Sequence, residues 1–463
     1  MKFNTLIDKF NAGIVWNAYL YAIHRACSSA VTLLLFYKVP TYYFAAWANS
    51  NSVIYLILLW VDAGFRKSIP RYCPVFLKNK VTNKQFTKII IAVQLAFLLL
   101  ALPIIWYAAR PIAALIERTD TKLTLLISSV FILEGILSIL RLLYHAHFQQ
   151  KFFNLLLSLF LILESATALI LILNNTPLLI DALLINKIGI DIGAIGLLMY
   201  SLKRIYRDAQ SNEALDAAAA YKEFIMHSGI MWTTSFLRSL SERNFMVPFL
   251  TYIAGAATAN MYKLANDGAL IFQRIALKTI GTTDTALLAY VYVEPYEKKL
   301  TNVAFRKLVT KVAALCLPLF GIMFFVMLYF YTTAYNTIVF QLFSLLGCSY
   351  LLEIMLIAYE RMLEVQRAYR PLLSIYILYT LLLISILSAL YFGWASVFLS
   401  LALISGVRLV SMFIMAYVAH ARFAIHYPFK ECVRMVSVLV FILALCLLLI
   451  YTMPPIVLSI IPH

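Results

Sequence analysis

Long apolar runs, separated by short charged segments, recur along the whole 463-residue chain. Each run holds about 18 residues or more, enough to cross ~30 Å of hydrocarbon as a helix. Read against Pro, Asn, Gly and loop charges, the runs predict helices at about 13–37, 41–62, 87–108, 121–145, 151–173, 182–202, 222–242, 246–273, 306–331, 337–359, 369–391, 394–419 and 434–453. Boundaries read this way drift by a few residues, so the expected total is about twelve to fourteen spans. The longest polar interruption near the middle is KRIYRDAQSNEALDAAAAYKE, Lys203 to Glu223. Six predicted spans precede it and at least six follow. An even number per half leaves both halves in the same orientation, as in parallel repeats. The expected organisation is an N-terminal six-helix lobe at 1–202 and a cytoplasmic linker at 203–221. A second six-helix lobe follows at 222–420, then a loop and an additional C-terminal helix at 421–463. The second span of each half ends in an acid and a glycine, Asp62/Gly64 and Asp267/Gly268, followed by an amphipathic segment.

Composition narrows the class. The chain is 63% hydrophobic and only 13% charged, with mean hydropathy +0.87. A soluble domain carries about a quarter charged residues, so this chain could not cover a water-exposed surface. An all-α polytopic membrane protein follows. The net charge of +17 tracks the loops, so no nucleic-acid partner is expected. With the N-terminus inside, the outward connections hold Lys38, Arg110, Arg118, Lys122 and little else. The inward loop 63–86 alone carries Arg66, Lys67, Arg71, Lys78, Lys80 and Lys84. The same bias recurs at 203–222, 274–311, 361–370 and 422–434, which predicts a cytoplasmic-membrane protein with its N-terminus cytoplasmic. The six cysteines are scattered and read as thiols. No small-residue cleavage site follows the first apolar run, which reads as a retained first helix.

No P-loop, HExxH, metal-spaced His/Cys group or GxSxG elbow occurs, so neither enzymatic activity nor a cofactor is expected. The chemistry lies in ionisable groups at membrane depth, each costing about 2.5–3.5 kcal/mol at a helix centre. These are Arg25, Glu134, Glu164, Lys187, Asp191, Arg238, Glu242, Lys263, Asp267, Glu353 and Arg408. Lys187/Asp191, Arg238/Glu242 and Lys263/Asp267 stand four apart and can neutralise themselves on one helix face. Glu134 and Glu164 have Lys187 or Arg141 as partners in reach of the same lobe. Arg25 and Arg408 have no acid within four residues on their own helices. A guanidinium at that depth suits phosphate oxygens. Asp62, Asp267 and Glu353 are the candidates for ion coupling or gating, with H+ or Na+ as the ion.

Two stretches carry a family resemblance. YYFAAWANSNSVIYLILLWVDAGFRKSIPRY, a helix with a D-x-G ending and basic residues after it, resembles the corresponding N-terminal stretch of the polysaccharide-exporter, or O-antigen flippase, branch of the multidrug/oligosaccharidyl-lipid/polysaccharide superfamily. YKEFIMHSGIMWTTSFLRSLSERNFMVPFLTYIAGAATANMYKLANDG resembles its seventh and eighth helices, with a Y-x-x-A signature at Tyr262 to Ala265. The resemblance implies two lobes around a cavity lined by spans 1, 2, 7 and 8. It implies outward movement of an undecaprenyl-pyrophosphate-linked oligosaccharide by alternating access, within membrane lipid and alongside glycan polymerase or glycosyltransferase partners. Arg25, Arg238, Lys263 and Arg408 are then the expected substrate-binding cations. The alternatives are cation-coupled multidrug efflux in the same superfamily and a non-transporting scaffold of a glycan-assembly complex.

Overall fold

The computed structural model describes residues 3–76, 80–117, 121–146, 149–174, 176, 178–205, 217–280, 321 and 337–423. Among them the secondary structure is helical: α1 (Phe3–Lys38), α2 (Thr41–Val61), α3 (Phe65–Phe76), α4 (Lys80–Leu100), α5 (Leu102–Ala114), α6 (Lys122–Ala146) and α7 (Gln150–Leu173). There follow α8 (Leu179–Ile205), α9 (Ala217–Ser239), α10 (Arg243–Ile280), α11 (Thr337–Val365), α12 (Tyr369–Tyr391) and α13 (Val397–Phe423). Six of these are long and apolar enough to cross a membrane, or seven if the bent pair α4–α5 is one span. The protein is a multi-pass all-α membrane protein. The expected helix at 434–453 lies outside the described residues, as do all but residue 321 of the one at 306–331 and most of the linker and the C-terminal segment.

The expected span 87–108 is two helices. α4 and α5 meet at a 43° bend, where Ala101 precedes Leu102 and Pro103 occupies the first turn of α5. Proline has no N–H to give and is at ease in a first turn, so the chain restarts rather than continues. α10 is also interrupted, at Gly255 with φ 84 and ψ 163. The two Asp-Gly endings part company here. α2 stops before Asp62, and Ala63 and Gly64 follow with φ of 51 and 75, whereas α10 runs through Asp267 and Gly268 to Ile280. The carboxylates explain the difference. Asp62 Oδ2 accepts the Arg66 N–H at 3.1 Å and so caps the start of α3. Asp267 is held by Lys263 on its own helix at 2.8 Å, so no new helix is capped there.

α2 carries ANSNS in the middle of an apolar helix, and three of its polar side chains bond locally, while the buried Ser52 hydroxyl has no hydrogen-bond partner. Asn49, Ser50 and Asn51 each donate to the carbonyl four residues earlier, at 2.8, 2.8 and 3.0 Å. Asn49 Nδ2 also reaches Thr251 Oγ1 at 3.1 Å. Without water, backbone and side-chain donors must find partners inside the protein.

The described residues form two compact units, one reaching Asn260 and the other beginning at Met261. In the first unit α1 packs along α7, α6 and α7 pack on α8, and α3 packs on α9. Leu20, Leu137, Tyr144, Phe153, Leu157 and Leu198 close one core there. In the second unit α11 and α12 pack on α13. Outward faces stay apolar, with Leu159, Leu163, Leu173, Leu378, Leu381 and Phe413 all exposed, as lipid contact requires.

Candidate functional site

Four ionisable side chains and a tyrosine converge inside the first unit. Glu134 comes from α6, Glu164 from α7, and Lys187 and Asp191 from one face of α8. Lys187 Nζ lies 2.5 Å from Glu134 Oε1, 3.7 Å from Glu164 Oε1 and 3.6 Å from Asp191 Oδ2. Tyr55, from α2, donates its hydroxyl to the same Glu134 oxygen at 2.8 Å. The α7–α8 seam beside them is pinned by Asn186, whose Nδ2 donates to the Glu164 carbonyl at 3.0 Å and whose Oδ1 accepts from Thr167 at 2.7 Å. Side-chain exposure falls from 23% for Glu164 to 5% for Asp191, so water contributes little screening.

The charge count decides what this cluster can do. Three carboxylates share one ammonium, and two unit charges ~4 Å apart interact by about 4 kcal/mol at an effective dielectric of 20. Arg141 adds a second positive charge acting on Glu134; with every group ionised the three acids still outnumber the two cations, and uptake of a proton relieves the surplus. The carboxylates gather around Lys187, and among the described residues no His, Cys, Asp and Glu group is arranged to hold a metal ion. The geometry suits proton exchange.

The second unit holds a separate set. Arg408 has its acid on a neighbouring helix: its Nη2 donates to Glu353 Oε1 at 2.8 Å, with Glu353 fully buried. The guanidinium also lies over the Tyr350 ring, 5.3 Å from its centroid. Tyr350 donates to Asn266 Oδ1 at 2.6 Å, one residue from Asp267, which pairs with Lys263. Lys263, Asp267, Glu353 and Arg408 thus belong to one polar region built on α10, α11 and α13. Arg238 lies 3.8 Å from Glu242, at the end of α9. Arg25 is on α1, and its side chain lies outside the described ones.

Asp62 belongs to a third place, the turn between α2 and α3, packed on α9. Ser68 Oγ and His227 Nδ1 are 2.8 Å apart, Trp60 Nε1 donates to Ser239 Oγ at 2.8 Å, and Trp232 Nε1 donates to the Trp60 carbonyl. Burial pushes the Asp62 carboxyl up to about 6, opposed by the charge and backbone N–H of Arg66. A carboxyl raised in the folded state contributes stability that is present below its unfolded value and lost as pH rises through the folded one. The parent should therefore gain stability relative to Asp62→Asn as pH falls from about 7 to about 4. The Asn variant keeps a capping oxygen and should be the more stable by about 1–3 kcal/mol near pH 8. Thermal melting of both proteins across that range in detergent checks this; parallel curves would contradict it.

No family model matches the chain, and no curated protein does. Solved structures do. The MATE transporter VcmN of Vibrio cholerae, in a mutant form, has a TM-score of 0.63 at 14% identity, covering 91% of this chain and 97% of that one. The fold is that of the MATE transporters. An outward-facing multidrug resistance MATE transporter of the MOP superfamily matches the MATE fold here with a TM-score of 0.61 at 14% identity, over 89% and 95%. A eukaryotic MATE transporter gives 0.57 at 14%, over 94% and 99%.

Sequence reasoning found Glu134, Glu164, Lys187 and Asp191 as partners because charge at membrane depth is costly. It missed Tyr55, which carries no charge and so leaves no such signal. It also missed the partner of Arg408, since Glu353 is 55 residues away and on another helix.

Proposed function

We propose that the protein is an alternating-access transporter of the multidrug/oligosaccharidyl-lipid/polysaccharide superfamily. Its cargo is an undecaprenyl-pyrophosphate-linked oligosaccharide, carried across the cytoplasmic membrane for surface polysaccharide assembly. The observation that carries the transport reading is the cluster of three carboxylates around Lys187 inside a MATE fold. Packing alone has no use for more buried acids than bases, whereas a proton-driven carrier needs a place to load and unload a proton. The N-terminus faces the cytoplasm in this reading, supported by the loop charges, and 1–202 and 222–420 act as the two lobes.

The cargo assignment rests on the two family-like stretches and on the basic residues Arg25, Arg238, Lys263 and Arg408. A pyrophosphate needs cations that do not sit uncompensated when the site is empty. Asp267 and Glu353 provide that compensation for Lys263 and Arg408, and incoming phosphate oxygens replace them. The prenyl tail remains in lipid, and a glycan polymerase or glycosyltransferase receives the product. A second reading, efflux of organic cations, draws on the same acid surplus, because carboxylates attract cationic cargo.

The two separate in proteoliposomes. With an imposed proton gradient, the protein should flip a fluorescent lipid-linked oligosaccharide and leave ethidium where it is, and Asp191→Asn should abolish the flipping. Ethidium movement without lipid flipping would establish the second reading. Movement of neither would point to the scaffold.

A further inference from the structure

Every charged residue between Ala63 and Ile89 is basic, and the transport reading uses none of them. α3 and α4 bury their apolar sides in one core, with Phe65, Ile69 and Phe76 against Phe86, Ile90 and the α9 residue Phe224. Phe76 and Phe86 stack with ring centroids 4.0 Å apart. This arrangement leaves charge on the outward sides. The Arg66 side chain is 45% exposed even beside Asp62, and Lys84 and Lys88 are exposed one turn apart on α4.

From Lys88 the exposed face of α4 continues through Ala92, Leu95, Ala96 and Leu99, at helical spacing. Leu99 is 61% and the adjacent Leu100 72% exposed. The face therefore has cations at one end and bare hydrocarbon along the remaining turns. An anionic headgroup matches the first part and acyl chains match the second. The segment itself holds no acid, and Lys84 and Lys88 stand exposed on α4.

We propose that the α3–α4 hairpin binds one anionic diacyl phospholipid. Its headgroup lies on Lys84 and Lys88 within the field of the α3 basic residues, and its acyl chains run along Ala92 to Leu99. The opposite side of α3 carries the contact with α9, so a lipid held on the outside keeps that contact in register.

The test is native mass spectrometry of the full-length protein supplied with phosphatidylglycerol or phosphatidylcholine, and it needs no transport cargo. The parent should retain phosphatidylglycerol preferentially. A basic residue near an anionic surface is worth about 1 kcal/mol, so the pair Lys84→Gln, Lys88→Gln should lower that preference about thirtyfold. The pair Arg370→Gln, Arg422→Gln removes the same charge from other exposed positions and should leave it unchanged. Equal retention of both lipids by the parent, an undiminished preference in the Lys pair, or an equal loss in the Arg pair would each overturn the site.

Discussion

Replacing Lys187 with Met should destabilise the protein by about 3–5 kcal/mol at neutral pH, the cost of breaking a buried ion pair from one side. The reason lies in the cluster's arithmetic. Lys187 is the cation within 4.0 Å of Glu134, Glu164 and Asp191 together, and Met matches its length without its charge. Three carboxylates would then face one another with the Tyr55 hydroxyl donating to Glu134 and Arg141 the remaining positive charge acting on it. Lowering the pH supplies protons to those carboxylates and should restore much of the melting temperature. Glu134→Gln is the informative companion. Its amide oxygen still accepts from Tyr55, and Lys187 keeps two acids, so the loss should stay near 1 kcal/mol. Melting by intrinsic fluorescence in detergent reads all three proteins. A Lys187→Met variant that melts with the parent at neutral pH would show that the cluster does not hold its charge as described.

That cluster also shows how far a membrane sequence can be read. Length and apolarity place α2, α6, α7 and α12 within a few residues of their expected bounds, because a membrane span must be continuous and about 20 residues long. Breaks are harder to see. The α4–α5 bend lies in a run that is apolar on both sides, with Pro103 the only mark. Partners on one helix, such as Lys263 and Asp267, follow from spacing. Partners across helices, such as Arg408 and Glu353, depend on which faces meet, and periodicity does not say. The stretch VDAGFRKSIPRY showed its acid, its glycine and its basic residues in the sequence. What it did not show was that the backbone of another helix lies against the glycine.

Gly64→Ala should separate α9 from the α2–α3 turn and cost about 2–5 kcal/mol. A Cβ built on Gly64 would lie 2.1 Å from the Ser228 carbonyl oxygen and 2.8 Å from the Trp232 nitrogen. Both are backbone atoms of α9, so no side-chain rotation can relieve them. The φ of 75 at Gly64 adds a left-handed conformation that L side chains adopt at a cost of about 1 kcal/mol. A helix displaced to make room loses its fastenings together: Ser68 to His227, Trp60 to Ser239, and Trp232 to the Trp60 carbonyl. The loss should therefore register in the tryptophan emission as well as in the melting temperature. Ala63 provides the comparison. It also has a positive φ, 51, so Ala63→Gly relieves backbone strain while giving up some unfolded-state restriction. It should stay within about 1 kcal/mol of the parent. If both substitutions are equally mild, the backbones at Gly64 and Ser228 are not in contact, and the turn is only a link between helices. A large loss confined to Gly64 makes its missing Cβ the condition on which α3 and α9 can pack at all.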